Sequence, residues 1–146
     1  GDTVPLELNA KELVHRNNKN SELTVYGYTP MMVSVQCVQK TMDHCNHACV
    51  QYVLKDRYQK EFRGVCSCEF CYNTIYNTLP TSLLKEKEKA EKLGVKAYRL
   101  SFTTETQQET EKIVRAFVDI YLRGQKPDGQ MQTEETTKGH FQRGVE

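Results

Sequence analysis

The chain has 146 residues, a length typical of one domain with its own apolar core. Its 20 Lys and Arg residues oppose 19 Asp and Glu, and this formal net charge of +1 excludes a general electrostatic attraction to nucleic acid or anionic membranes. The sequence lacks the roughly 18 to 20 consecutive apolar residues of a membrane-spanning helix and the charge pattern of a secretory signal, so we expect neither.

The first half of the chain predicts short elements. Residues 1–21 form an N-terminal lead-in, in which Asn9 is placed to cap a short helix. Alternating β-branched and aromatic residues at 22–28 predict a strand, and a second apolar run at 31–35 leads to Cys37. Apolar segments on both sides of the polar residues 55–60 predict a β-hairpin, and a further strand is expected at 72–77.

The second half alternates helix and strand, which is typical of α/β architecture. An amphipathic helix is predicted from Pro80 until Gly94 stops it, followed by a strand at 95–102. Thr104, with Gln107 three residues later, predicts the capping box of a second helix that ends at 123–124.

These elements predict a partial α/β domain over residues 22–124 that carries a cysteine-rich irregular insertion at 37–71. Residues 125–146 are polar and aperiodic, so we expect a tail or docking strap outside the core. A complete barrel of eight β/α units needs at least about 200 residues, so this chain could supply only part of one.

All six cysteines fall between Cys37 and Cys71. Six in 146 residues is below the share of roughly 8 to 10% found in disulfide scaffolds, and His44 and His47 lie in the same window. Thiolates and imidazoles that converge in this way are typical of zinc or iron–sulfur sites. The spacing therefore favours a metal or cluster site, with three disulfides or unliganded thiols as the alternatives.

Three motifs in this order resemble the collagenase-like peptidase family, whose catalytic type is unassigned. They are ELTVYGYTPMMV with Cys37, LKDRY with Glu61-Phe62, and CEFCYNTIYN, and the closing GHFQRGVE resembles the end of the catalytic region of long bacterial members. The sequence departs from the family pattern at Arg63-Gly64, where a Pro-Val pair usually stands, and at Cys49, which is an additional thiol.

The resemblance implies a TIM-like barrel, of which this chain would be the C-terminal portion. Family members were first assigned as proteases, and others are oxygen-independent hydroxylases that hold an iron–sulfur cluster on four cysteines. Carried over by position, the resemblance implies Cys37, Cys45, Cys68 and Cys71 as the ligands, with Cys66 as a competitor for Cys68. A zinc site with the same ligands is the alternative, because sulfur ligands suit zinc equally well.

Several polar residues are candidates for substrate contacts. Lys55 and Arg57 at the hairpin tip could bind a phosphate backbone, although an ordinary charged turn has the same composition. Two residues on predicted strands, Asn73 and Arg99, could orient a substrate carboxylate. A final pair, formed by His140 and Arg143, is placed in the tail, which would have to fold back over the site.

The resemblance implies that the chain is part of a cytoplasmic bacterial enzyme, and we expect iron–sulfur-dependent hydroxylation of an RNA base as its chemistry. Its partners would be the N-terminal part of the same polypeptide, RNA, and another copy of the fragment. Proteolysis is the alternative, although the chain carries no His-Glu-x-x-His motif and no recognisable nucleophile–base arrangement. A zinc-stabilised module without catalytic activity is the third possibility.

Overall fold

A computed structural model describes residues 1–42, 45–126 and 135–142. The chain divides into two compact units, which we call the core unit (Gly1–Gly27 with Leu79–Glu146) and the cysteine unit (Tyr28–Thr78). In chain order the strands and α-helices are β1 (Asp2–Thr3), α1 (Ala10–Val14), β2 (Ser21–Gly27), β3 (Pro30–Ser34), α2 (Val38–Thr41), β4 (Val50–Lys55), β5 (Glu61–Ser67), β6 (Tyr72–Tyr76), β7 (Thr81–Ser82), α3 (Lys87–Lys92), β8 (Ala97–Ser101) and α4 (Gln107–Phe117).

The core unit is built around β2. Strand β8 pairs with it in parallel, from Glu22 opposite Ala97 to Gly27 opposite Ser101. Strand β1 pairs in parallel with the start of β2 and β7 pairs antiparallel with its end, so these two short strands share the other edge. This combination of a parallel pair with helical connections confirms the predicted α/β class.

Helices α1, α3 and α4 contribute buried side chains to the apolar core of this unit. The core consists of twelve buried residues: Val4, Leu13, Leu23, Val25, Tyr26, Leu83, Leu84, Ala90, Leu93, Phe117, Ile120 and Phe141. The buried Asn18 side chain donates hydrogen bonds to the Leu13 and Leu93 carbonyls, at 2.7 and 3.2 Å, and so links the ends of α1 and α3. Burial of these apolar side chains is the main stabilising contribution to the unit.

Two helix predictions need correction. The helix predicted from Pro80 is shorter, because Thr81 and Ser82 pair with β2 and a 3-10 turn at Leu84–Glu86 precedes α3. The capping box of α4 is formed by Thr106 and Glu109, two residues after the predicted one. The predicted cap of α1 by Asn9 is present, since its side chain accepts from the N–H groups of two residues in the first turn.

Part of the predicted tail is docked on the core unit. The Ser82 N–H donates to the Thr137 carbonyl at 2.8 Å, and the Thr137 N–H donates to the Pro80 carbonyl at 2.9 Å. A 3-10 turn at Gly139–Phe141 then places Phe141 in the apolar core, where it is 6% exposed. This segment therefore behaves as a docking strap, one of the two alternatives for the tail, and it differs from the expectation only in that Phe141 enters the core.

The cysteine unit is an antiparallel sheet with strand order β3-β6-β5-β4. The predicted hairpin is confirmed: β4 and β5 pair from Val50 opposite Cys66 to Lys55 opposite Glu61. Asp56 Oδ1 accepts from the N–H groups of Tyr58 and Lys60, at 2.7 and 2.9 Å, and so stabilises the turn.

Neither sheet closes into a barrel within the described ranges. Among the residues that the structure describes, no helix is long and apolar enough to span a bilayer.

Candidate metal centre

Three buried thiols meet in the cysteine unit. The Sγ atoms of Cys37, Cys66 and Cys68 all lie within 4.8 Å of one another, and those of Cys37 and Cys66 are 3.8 Å apart. The side chains are 7%, 0% and 5% exposed, respectively. All six cysteines are free, because even the 3.8 Å separation is far longer than a disulfide bond of about 2.0 Å.

Local structure explains why these thiols converge. Cys37 is the residue before helix α2, at the end of a three-residue connection from strand β3. Cys66 lies in strand β5, and Cys68 is placed two residues later, so that its side chain returns to the same side of the extended chain. The start of helix α2 and strand β5 thus bring together Cys37 and Cys66, which are 29 residues apart in sequence.

Cys45 is exposed but lies beside this group. Its thiol contributes to the pKa of both the Cys37 and the Cys68 thiol, but its sulfur is not one of the three that all lie within 4.8 Å of one another. Gln39 of α2 holds the loop that carries it: its amide accepts from the Asn46 N–H at 3.3 Å and donates to the Ala48 carbonyl at 3.0 Å. A fourth thiol is therefore available to the three buried ones.

The remaining two cysteines are placed differently. Cys71 is exposed, has a left-handed backbone with φ of 52°, and directs its thiol to the Cys68 carbonyl at 3.6 Å. Cys49, the additional thiol, is exposed as well. Of the four ligands implied by the resemblance, the structure thus groups Cys37 and Cys68 with Cys45 beside them, and it puts Cys66 rather than Cys71 among the buried thiols.

The electrostatics of the group depend on burial and on the crowding of acidic thiols. The Lys40 N–H in the first turn of α2 lowers the pKa of Cys37, whereas burial raises the pKa of Cys66. Burial, together with the neighbouring Cys45 thiol, raises the pKa of Cys68 to about 12. Without a cation, such a group cannot ionise all its thiols, whereas a bound metal stabilises the thiolate forms and releases protons.

Two polar side chains adjoin the thiols. Tyr52 packs against the three buried cysteines, and burial followed by the charges of Cys66 and Cys37 raises its pKa. Asn73 is 1% exposed, lies opposite Cys66 in the sheet, and donates to the Gln36 carbonyl. The hydroxyl of Tyr52 and Oδ1 of Asn73 are both buried without a hydrogen-bond partner among the described residues.

Gly64 makes room for the Tyr52 ring. The two residues are directly opposite each other in the β4–β5 pair. A Cβ at Gly64 would lie 2.3 Å from Cε2 and Cζ of the ring, which no side chain permits. A glycine is therefore required at position 64 for the Tyr52 ring to pack as it does, which explains why this chain differs here from the pattern of the family it resembles.

None of the other predicted site residues that the structure describes belongs to the group of three buried thiols. Lys55 forms an ion pair of 3.0 Å with Glu61, and the Arg57 guanidinium lies over the Tyr58 ring at 4.7 Å from its centre. Arg99 belongs to the core unit, where it forms an ion pair with Glu22.

The two candidates for orienting a substrate carboxylate belong to different units: Arg99 is in the core unit, and Asn73, the second residue of β6, is in the cysteine unit. His140 lies in the 3-10 turn of the core unit, and Arg143 lies outside the described residues.

Sequence reasoning missed two features of this group. Cys66 was considered only as a competitor, although its spacing of two from Cys68 within a strand pattern is the signal that both side chains share a face. Tyr52 carried no signal of its own, since its position opposite Gly64 depends on the register of the hairpin.

Thiolate sulfur from four cysteines is a ligand set that both zinc and iron–sulfur clusters accept. The chemistry of the donor atoms therefore suits either group. The 3.8 Å between the sulfurs of Cys37 and Cys66 is the separation that two ligands of one tetrahedral ion have when each metal–sulfur bond is about 2.3 Å. In comparisons with known proteins, no family model, no curated protein and no solved structure matches this chain.

Proposed function

We propose that the cysteine unit binds a metal centre through Cys37, Cys66 and Cys68, with Cys45 as the fourth ligand. The observation that carries this proposal is the group of three buried thiols within 4.8 Å of one another. Burying three thiols together is typical of a metal site, because soft sulfur ligands in a dry pocket bind such ions tightly.

The same centre orders the unit. The buried cluster of the cysteine unit consists of the three cysteines with Tyr52 packed against them, while Met31, Met32, Val33 and Val53 are exposed. A unit of this size, below about 70 residues, rarely has enough apolar core to fold without a metal or disulfide. Metal binding therefore supplies folding free energy to residues 28–78.

Single Cys→Ser variants test the ligand set. Replacement of Cys37, Cys66 or Cys68 should weaken zinc binding to the reduced, metal-free protein by more than the 10- to 100-fold typical of residues that hydrogen-bond to a ligand. Cys49→Ser is the matched control and should bind zinc like the unmodified protein. If Cys71→Ser abolishes binding and Cys66→Ser does not, the ligand set implied by the resemblance is right and ours is wrong.

The cofactor we favour is a four-iron four-sulfur cluster, on the strength of the family resemblance. When bound, such a cluster supplies electron transfer, and this chain's residues would hold it through thiolates in a pocket that excludes water. Anaerobic purification followed by iron, acid-labile sulfide and zinc analysis tests this choice. Iron and sulfide in equal amounts support it, whereas a colourless protein with zinc alone contradicts it.

With the cluster, we propose that the chain belongs to a cytoplasmic enzyme that hydroxylates an RNA base independently of molecular oxygen. The hydroxyl group would come from an organic hydroxyl donor, which would be reduced as the base is oxidised. The parallel pair β2 and β8 would then be part of a TIM-like barrel. Mass spectrometry of RNA from host cells with and without the gene tests this proposal. The modified base should carry an added oxygen, and it should disappear when the gene encodes Cys66→Ser.

A zinc-stabilised module without catalytic activity is the second candidate. The observation that favours it is the small buried cluster of the cysteine unit, which among the described residues consists of three cysteines with Tyr52 packed against them and which a structural zinc would stabilise without any catalytic role. Zinc content with unchanged host RNA would support this candidate over the enzyme.

A further inference from the structure

The hydroxyl of Tyr52 is the feature of the cysteine unit that the four thiols leave unexplained. It is fully buried, and it has no hydrogen-bond partner among the described residues. Buried hydroxyls almost always have a partner. None of the buried thiol sulfurs is a hydrogen-bond partner of this hydroxyl. An unpaired hydroxyl next to a proposed ligand group therefore points to a ligand sulfur that comes within its reach when the site is loaded.

The sheet register places Tyr52 on the face that carries Cys66. Val50 is opposite Cys66 and Tyr52 is opposite Gly64, so Tyr52 is the diagonal neighbour of Cys66 on the same face of the hairpin. Diagonal neighbours are within reach of an aromatic side chain. Tyr52 also packs against the buried thiols as a group.

The absence of a side chain at Gly64 leaves room for the Tyr52 ring. Because the ring occupies the space where a Cβ would stand, the hydroxyl can extend past Gly64, and it lies 2.8 Å from that Cβ position. A larger residue at position 64 would force the ring away. The hairpin is therefore shaped to bring this phenol beside the thiols.

The Tyr52 hydroxyl is suited to donate a hydrogen bond to a thiolate. A phenol O–H is a donor, and a thiolate is an acceptor that gains hydrogen-bonding strength when it becomes a charged metal ligand. The unpaired atom of Asn73 is Oδ1, which accepts hydrogen bonds and cannot donate to a thiolate, while its amide nitrogen is already held by the Gln36 carbonyl.

We propose that Tyr52 is a positioning residue of the metal centre, whose hydroxyl donates a hydrogen bond to a ligand thiolate, with Cys66 as the favoured acceptor. This inference rests on the proposed metal site. Such bonds orient ligands and tune the metal, and their loss typically costs 10- to 100-fold in metal affinity. In a cluster, they also set the reduction potential.

Tyr52→Phe tests the proposal because it keeps the ring and removes only the hydroxyl. The variant should bind Zn²⁺ about 10-fold more weakly than the unmodified protein in competition with a chelator. In the Co²⁺-loaded protein, the sulfur-to-cobalt charge-transfer band should move to lower energy, since the thiolate loses a stabilising donor. Tyr58→Phe, whose ring is exposed at the hairpin tip, is the matched control and should leave both values unchanged.

Packing alone cannot produce the shifted band, because phenylalanine fills the same space. An affinity within about twofold of the unmodified protein with an unmoved band overturns the role of Tyr52, and it leaves the metal site intact if Cys66→Ser still loses zinc. If Cys66→Ser and Cys37→Ser both bind zinc normally, the metal site itself is wrong, and the role of Tyr52 is overturned with it.

Discussion

Gly64→Ala is the substitution that most directly perturbs the packing beside the thiols. An added Cβ would lie 2.3 Å from Cε2 and Cζ of Tyr52, whereas carbon atoms in contact are normally about 3.5 to 4.0 Å apart. The ring must therefore move by more than about 1 Å. Because Tyr52 packs against the three buried cysteines, this movement disturbs its contacts with them. Overpacking of this kind typically costs about 1 to 3 kcal/mol.

Zinc affinity measures this cost, because we expect the cysteine unit to fold as it binds metal. A loss of 1 to 3 kcal/mol corresponds to a 5- to 150-fold weaker affinity. The same substitution in a Tyr52→Ala background should change affinity by less than about twofold, since the opposing ring is gone. A Gly64→Ala effect of equal size in both backgrounds would refute the contact between residues 52 and 64 as its cause.

Three further predictions concern the core unit, and urea denaturation at fixed temperature measures each of them. Burial alone would raise the pKa of Glu86, but the ammonium groups of Lys138 and Lys89 more than offset this and hold it below the ordinary value of 4.5. The stabilisation is therefore present above pH 4.5 and is lost as the pH falls through the lowered pKa, and Glu86→Gln should flatten this dependence. Phe141→Ala should lower the free energy of unfolding by about 3 kcal/mol, because it empties a core position, and an unchanged midpoint would mean that residues 135–142 are not docked. Thr106→Ala should cost about 1 kcal/mol through loss of the α4 cap, and a loss below about 0.3 kcal/mol would contradict the assigned cap.

Local signals predicted most elements correctly. The Asn9 cap, the strand at β2 and the hairpin all follow from short-range patterns whose physical cause lies within a few residues. The cap of α4 was misplaced because two Thr-x-x-Gln/Glu patterns overlap, and the sequence gives no reason to prefer Thr106 over Thr104.

Long-range pairing accounts for what the sequence could not predict. Thr81 and Ser82 lie in a helical pattern, yet their backbone pairs with β2, and Phe141 lies in a polar tail, yet it is buried. The cysteine spacing indicated a metal site, but the choice of Cys66 depends on strand register and on the position of α2. Such contacts depend on tertiary structure, which overrides local preference.

The central claim is that the buried thiols hold a metal and that this metal orders residues 28–78. Hydrogen exchange of the metal-loaded and chelator-treated protein, read by mass spectrometry of peptides, tests both parts at once. We predict that protection across β5 and β6 is lost on metal removal, whereas β8 and α4 of the core unit keep theirs. Protection of β5 and β6 that survives in protein shown to be free of metal would contradict the claim.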